Sequence, residues 1–139
     1  MISVIIGTHG TFSEEILKSA EMIFGAQENV GSVSFKPGEG IENLAEKYSE
    51  LISKLDNTDG VLFMVDLFGG SPFNAASLIA MKHENMEIVT GVNLPMILET
   101  LGSRDFSSLT ELLAIAENSG KEAIRVLVKN LETDIEDEL

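Results

Sequence analysis

The hydrophobic pattern divides the chain into alternating strands and helices. Ile2 to Ile6 is a short, almost wholly apolar run rich in β-branched residues, and it stops at Gly7-Thr8-His9-Gly10. A run of this length without polar alternation reads as a strand buried on both faces, as in a parallel sheet. Val61 to Val65 repeats the pattern and ends at Asp66, while Asn29 to Phe35 and Met86 to Thr90 read as two further strands. Between them the apolar residues recur at helical spacing. Phe12, Ile16, Leu17, Ala20, Ile23 and Phe24 form one stripe; Ile41, Leu44, Ala45, Tyr48, Leu51, Ile52 and Leu55 form another. Thr11 and Glu14 have capping-box spacing, so Thr11 is the expected N-cap of the first helix, with Gly25 as its stop. Ser71 followed by Pro72 predicts an N-cap and a first helical residue. Ala75, Ala76, Leu78, Ile79 and Met81 make that helix apolar around much of its surface, so it is expected to be well buried. A short helix is expected over Met96 to Leu101, then a break from Gly102 to Phe106. A second capping box at Ser108 and Glu111 opens a helix reaching Gly120. Ala123 to Lys129 alternates apolar and basic residues and reads as a half-exposed edge strand. Glu132 to Leu139 carries five acids and reads as a tail.

This alternation predicts an α/β protein: a single-domain, open, doubly wound, mostly parallel sheet over residues 1–130, followed by the acidic tail 131–139. With the second strand outside the first and the third on its other side, the order is 2-1-3-4. The topological switch point then falls between the first and third strands, where such sheets bind ligands. Those strands end in His9 and Asp66.

Composition narrows the partners. The 139 residues suit one domain, and 44% of them are hydrophobic, enough for a proper core. A formal net charge of −14 argues against nucleic acid and against anionic lipid. Cysteine is absent, which excludes disulfides, zinc thiolate sites, iron–sulfur clusters and thiol catalysis. No metal or cofactor is expected. The first residues read as a folded strand and helix, not a targeting segment, and no apolar run reaches membrane-spanning length, so a cytoplasmic location is expected.

A histidine beside a buried carboxylate has a defined use. The carboxylate fixes the tautomer by accepting from one ring N–H, and the other nitrogen keeps its lone pair as a base or nucleophile. Two helix N-termini follow the strands, after His9 and after Gly70, and each offers backbone N–H groups to an anion. The candidate phosphoryl-binding residues are therefore Gly10, Thr11, Gly69, Gly70 and Ser71. With no cluster of cationic residues nearby in sequence, such a site suits reversible phosphoryl capture. Plainer readings exist: Asp66 as a turn residue, and Gly69 to Pro72 as a loop and cap. His83, in a Lys-His-Glu-Asn loop, reads as a surface residue. A hydrolase triad of Ser71, His9 and Asp66 is an alternative. Against it, Gly-Gly-Ser-Pro lacks the nucleophile-elbow glycine pattern, and proline after the serine removes an oxyanion-hole N–H. A non-enzymatic anion-binding regulatory module is a third reading.

Three stretches sharpen the choice: IIGTHG at 5–10, GVLFMVDLFGGSPFNAAS at 60–77 and GVNLPMILETL at 91–101. They resemble the IIA component of the mannose-class sugar phosphotransferase system, over roughly residues 1–128. The resemblance implies an open α/β sheet whose last, antiparallel strand, matching Ala123 to Lys129, is exchanged within a homodimer. It implies that His9 accepts a phosphoryl group from the histidine-containing phosphocarrier protein and passes it to a IIB component, with the membrane sugar-transport subunits served indirectly. It places the carboxylate partner at Asp66 and the loop donors at Gly70 and Ser71. Leu67 and Phe68 stand where some relatives carry a polar residue and a tryptophan. Some relatives carry a IIB domain after a linker; here IIB is expected as a separate protein.

Overall fold

The computed structural model describes residues 1–129 of the chain; the expected acidic tail lies outside the described residues. Strands β1 (Ser3–His9), β2 (Val30–Phe35), β3 (Val61–Val65) and β4 (Met86–Thr90) form one sheet in the order β2-β1-β3-β4. Every pairing is parallel. The helices are α1 (Phe12–Phe24), α2 (Ile41–Lys54), α3 (Ser71–Ala80), α4 (Leu94–Ser103) and α5 (Leu109–Glu122), with a single 3₁₀ turn at Arg104–Phe106.

The apolar runs of β1 and β3 are buried because each feeds two cores. Alternate side chains point to opposite faces of a strand. Val4, Ile6, Leu62 and Met64 pack against α1, α4 and α5 through Ile16, Ala20, Met96, Ile97, Leu112 and Ala116. Ile5, Val61 and Phe63 pack on the other face against α2 and α3 through Leu44, Tyr48, Ala75 and Ala76. The helix stripes are covered less widely than their periodicity suggests. Phe12, Ile23 and Phe24 of α1 stay exposed, as do Leu78 and Met81 on the outer side of α3. The expectation that α3 is well buried thus holds for one face only: the sheet and α2 cover that face, through Ala75 and Ala76, and leave the other to solvent.

Three helix starts differ from expectation. Thr11 does sit at the N-cap of α1, but its backbone (φ −100°, ψ 13°) lies outside the extended region a capping side chain needs, and its hydroxyl makes no cap bond. Thr8 does the capping instead: its Oγ1 accepts from the Ser13 N–H at 2.6 Å, and the Ser13 hydroxyl donates to the Val33 carbonyl at 2.8 Å. The N-cap of α3 is Gly70, one residue earlier than expected, and Ser71 opens the helix. Helix α4 begins two residues before the expected Met96, because Asn93 caps it by accepting from the Met96 N–H at 3.0 Å and Pro95 fits its first turn. The Ser108–Glu111 box forms as expected.

The N-terminal end of the sheet is tied by Arg104, a buried guanidinium with no carboxylate bonded to it among the described residues. Its Nη1 donates to the carbonyls of Ile2 (3.1 Å) and Asn29 (2.9 Å), and its Nη2 to that of Glu28. Burial lowers its pKa from the ordinary arginine value. The two sheet edges differ. On β2, the Lys47 ammonium, held by Glu39 at 2.7 Å, donates to the Ser34 carbonyl at 3.0 Å and blunts the edge. Beside β4 runs a cleft of about 550 Å³ whose lining includes Phe68, Phe73, Ile88, Met96, Leu113 and Ile124. Ala123 to Lys129, expected as an edge strand, pairs with no strand among the described residues, and Ile124, Val126, Leu127 and Val128 are exposed. Among the described residues no helix is long and apolar enough to cross a membrane.

Candidate active site

The sheet register brings His9 to Asp66. Gly7 of β1 lies opposite Val65 of β3, so the residue after Val65 falls level with the end of β1. Asp66 Oδ2 accepts two hydrogen bonds from His9, one from the backbone N–H at 3.1 Å and one from ring Nδ1 at 2.9 Å. An ionised carboxylate only accepts, so Nδ1 carries the proton and Nε2 keeps its lone pair. Asp66 Oδ1 is buried and has no partner among the described residues, so the hydrogen bonding of this carboxylate is directed at His9 alone. The Asp66 side chain is 18% exposed and that of His9 46%. The carboxylate is thus sheltered while the imidazole opens to solvent.

Two further residues fix the ring. Phe35, paired with His9 across β1 and β2, meets it edge-on with centroids 5.8 Å apart. On the other side stands Gly70. A Cβ added there would lie 2.9 Å from His9 Cε1 and 3.5 Å from Nε2, so the N-cap of α3 approaches the reactive edge more closely than any side chain allows. Gly69, at φ +81°, makes the turn that delivers Gly70 to this position. Asn74 braces the loop: its N–H donates to the Gly70 carbonyl at 2.8 Å and its Nδ2 to the Gly69 carbonyl at 3.2 Å.

The two helix starts near His9 are not equivalent as anion sites. After β1, the His9 N–H is bonded to Asp66, the Gly10 N–H to the Phe35 carbonyl at 2.8 Å and the Ser13 N–H to Thr8. That leaves Gly10 no backbone donor for an anion, which removes one of the expected contacts, and Thr11 stands in an exposed turn. At α3 the first-turn amides have no intrahelical acceptor, and Pro72 contributes none, so Gly70, Ser71 and Phe73 carry the free donors. The partial positive end of α3 adds to them. Among the described residues the only hydrogen bond of the His9 ring goes to Asp66; Ser71 makes none to it. His83 is exposed, 2.9 Å from the Ile79 carbonyl through Nδ1, at the far end of α3. Sequence reasoning missed Phe35 as a neighbour of the His9 ring. Gly7, a glycine inside a buried strand two residues before His9, is a signal that could have pointed to a close approach there, which the Tyr48 hydroxyl makes.

A parallel sheet whose switch point presents a carboxylate-anchored imidazole to a helix N-terminus has the geometry that histidine-based phosphoryl transfer requires. The chain belongs to the IIA family of sugar phosphotransferase systems: the family model described as PTS system fructose IIA component matches residues 3–117. It is 53% identical over 127 residues to the PTS system mannose-specific EIIAB component of Escherichia coli K12, an alignment covering 91% of this chain and 39% of that protein. It is 40% identical over 132 residues to the PTS system fructose-specific EIIA component of Bacillus subtilis 168, covering 95% of this chain and 90% of that one. Among solved structures, the EIIA component of Streptococcus agalactiae superposes with a TM-score of 0.83 at 30% identity, over 91% of this chain and 97% of that chain. The mannose/sorbose specific IIA subunit of Enterococcus faecalis gives 0.84 at 27% identity, over 93% and 96%. Members of this family are phosphotransferases that carry a phosphohistidine, and this chain spans well under half the length of the mannose-specific EIIAB relative it matches. Neither the hydrolase nor the anion-module alternative finds support among these relatives.

Proposed function

We propose that His9 is the phosphoryl acceptor, that the histidine-containing phosphocarrier protein supplies the group, and that a IIB component receives it. The observation that carries this reading is the 2.9 Å contact of Nδ1 with Asp66, which leaves Nε2 as the nucleophile beside the α3 amides. In the forward step the Nε2 lone pair attacks phosphorus in line, and the P–N bond to the carrier's histidine breaks with its electron pair returning to that nitrogen. Asp66 steadies the positive charge that spreads over the His9 ring, and Gly70 and Ser71 donate to the phosphoryl oxygens. Transfer to IIB is the same step reversed. Leu67 and Phe68, 58% and 75% exposed, form an apolar rim beside the site that both partners would meet. A chain working between such partners belongs in the cytoplasm. The deciding experiment is intact mass before and after incubation with phosphoenolpyruvate, enzyme I and the carrier.

Asp66 acts through His9, so its removal should slow transfer without stopping it. Asp66→Ala is expected to lower the rate about tenfold, the scale of losing an orienting partner of a histidine. Time-resolved labelling measures this, and a wild-type rate in the variant removes Asp66 from the mechanism.

We also propose a homodimer in which Ala123 to Lys129 of one copy lies antiparallel beside β4 of the other. Support comes from the open outer edge of β4, the apolar cleft beside it, and the exposure of Ile124, Val126 and Val128 in the single chain. Sedimentation equilibrium is expected to give a dimer, with Val126→Asp shifting it to monomer. A monomeric wild type at the same concentrations rejects the exchange.

A further inference from the structure

We infer that Tyr48 is a positioning residue for the His9 site: its hydroxyl ties the first turn of α3 to the sheet and so sets where Gly70 and Ser71 stand against Nε2. The inference rests on the reading of His9 as phosphoryl acceptor and deepens it.

Tyr48 is fully buried in the middle of α2, within the core formed with Ile5, Val33, Phe63 and Ala75. An apolar site of this kind is filled as well by phenylalanine, without the cost of desolvating a hydroxyl. The hydroxyl has one specific acceptor, the carbonyl of Pro72 at 3.0 Å. Pro72 follows Ser71 directly, so this bond fixes the turn that carries the candidate phosphoryl donors.

Two other site elements are shaped around the same side chain. A Cβ added at Gly7 would lie 2.0 Å from Tyr48 Oη, so β1 admits the phenol only because the residue two before His9 is a glycine. The Tyr48 ring meets Phe63 edge-on, centroids 5.3 Å apart at 82°, and Phe63 lies three residues before Asp66 on β3. The strand bearing His9, the strand bearing Asp66 and the helix receiving the anion therefore all contact Tyr48. Burial, and secondarily the nearby negative charge of Asp66, raise the phenol pKa above its ordinary value, so the hydroxyl remains a proton donor throughout the working range.

The test compares wild type with Tyr48→Phe, which deletes only the hydroxyl. Both are labelled by the phosphorylated carrier, and kcat and KM are separated. Tyr48 is buried and touches no partner surface, so KM for the carrier is expected to stay at the wild-type value. A displaced first turn of α3 is expected to lower kcat about tenfold. Wild-type kcat in Tyr48→Phe overturns the inference, whatever happens to its thermal midpoint. A wild-type chain that takes no label overturns the underlying reading and this inference with it, whereas a labelled wild type matched by the variant overturns this inference alone. A second measurement holds if Tyr48→Phe fails to fold. The chain has one tyrosine, so growth on fluorotyrosine places a single fluorine label on this ring. Its resonance is expected to move when His9 is phosphorylated; a resonance that does not move overturns the inference.

Discussion

Replacing His9 with alanine is expected to leave the chain folded and to abolish phosphoryl labelling. With phosphoenolpyruvate, enzyme I and the carrier, the wild-type chain should gain the mass of one phosphoryl group and lose it in acid, because the P–N bond of a phosphohistidine is acid-labile. The alanine variant should gain nothing. Folding should survive because the His9 side chain is 46% exposed and its backbone bond to Asp66 is untouched by the substitution. What is lost is one partly exposed hydrogen bond and an edge contact with Phe35, worth about 1 kcal/mol. The readout is clean because the chain holds only two histidines. The other, His83, stands beyond the opposite end of α3, against the Ile79 carbonyl. Label that persists in His9→Ala, or maps to His83, overturns the assignment. An acid-stable label at Ser71 would revive a serine nucleophile, which the geometry disfavours because Ser71 makes no bond to the imidazole.

The parts of this site legible in the sequence were those written in local pattern. β1 and β3 announce themselves because a strand buried on both faces needs no polar alternation. With the second strand outside the first and the third on its other side, the sheet takes the order 2-1-3-4, and His9 and Asp66 meet as a consequence. The parts that were not legible depend on dihedral angles or on distant partners. Thr11 has the spacing of a capping residue, but only its backbone conformation shows that Thr8 caps α1. Tyr48 sits inside a regular apolar stripe, and nothing in that stripe names Pro72 as the acceptor of its hydroxyl. Periodicity says which residues share a helix face; it does not say how wide a strip of that face is covered, which is why Leu78 and Met81 end in solvent. Ala123 to Lys129 carries the alternation of a strand but pairs with no strand among the described residues, and the alternation contains no information about a partner.

Gly70→Ala is expected to slow phosphorylation about a hundredfold while changing stability by no more than about 1 kcal/mol, separating the site from the fold. The backbone at Gly70 (φ −76°, ψ 171°) is extended and open to any residue, so the substitution costs little by itself. The difficulty is steric. The new methyl would stand 2.9 Å from His9 Cε1, closer than carbon atoms tolerate, with Leu67 Cβ at an ordinary 3.7 Å on its other side. Either the loop or the imidazole must move. The loop is held by Asn74 at two points and α3 by Tyr48, whereas the half-exposed imidazole is free to swing outward. Swinging it lengthens the Nδ1 bond to Asp66 and carries Nε2 away from the Ser71 amide, disturbing tautomer and alignment together. Gly69→Ala supplies the contrast. At φ +81° an alanine is strained by about 1–2 kcal/mol, yet its Cβ meets nothing within 4 Å, so stability should fall while the His9 ring stays in place. Urea denaturation and the time course of labelling, measured on both variants, therefore separate: labelling slows in Gly70→Ala, and stability falls in Gly69→Ala. If Gly70→Ala is labelled at the wild-type rate, the close approach of α3 to the imidazole has no part in catalysis.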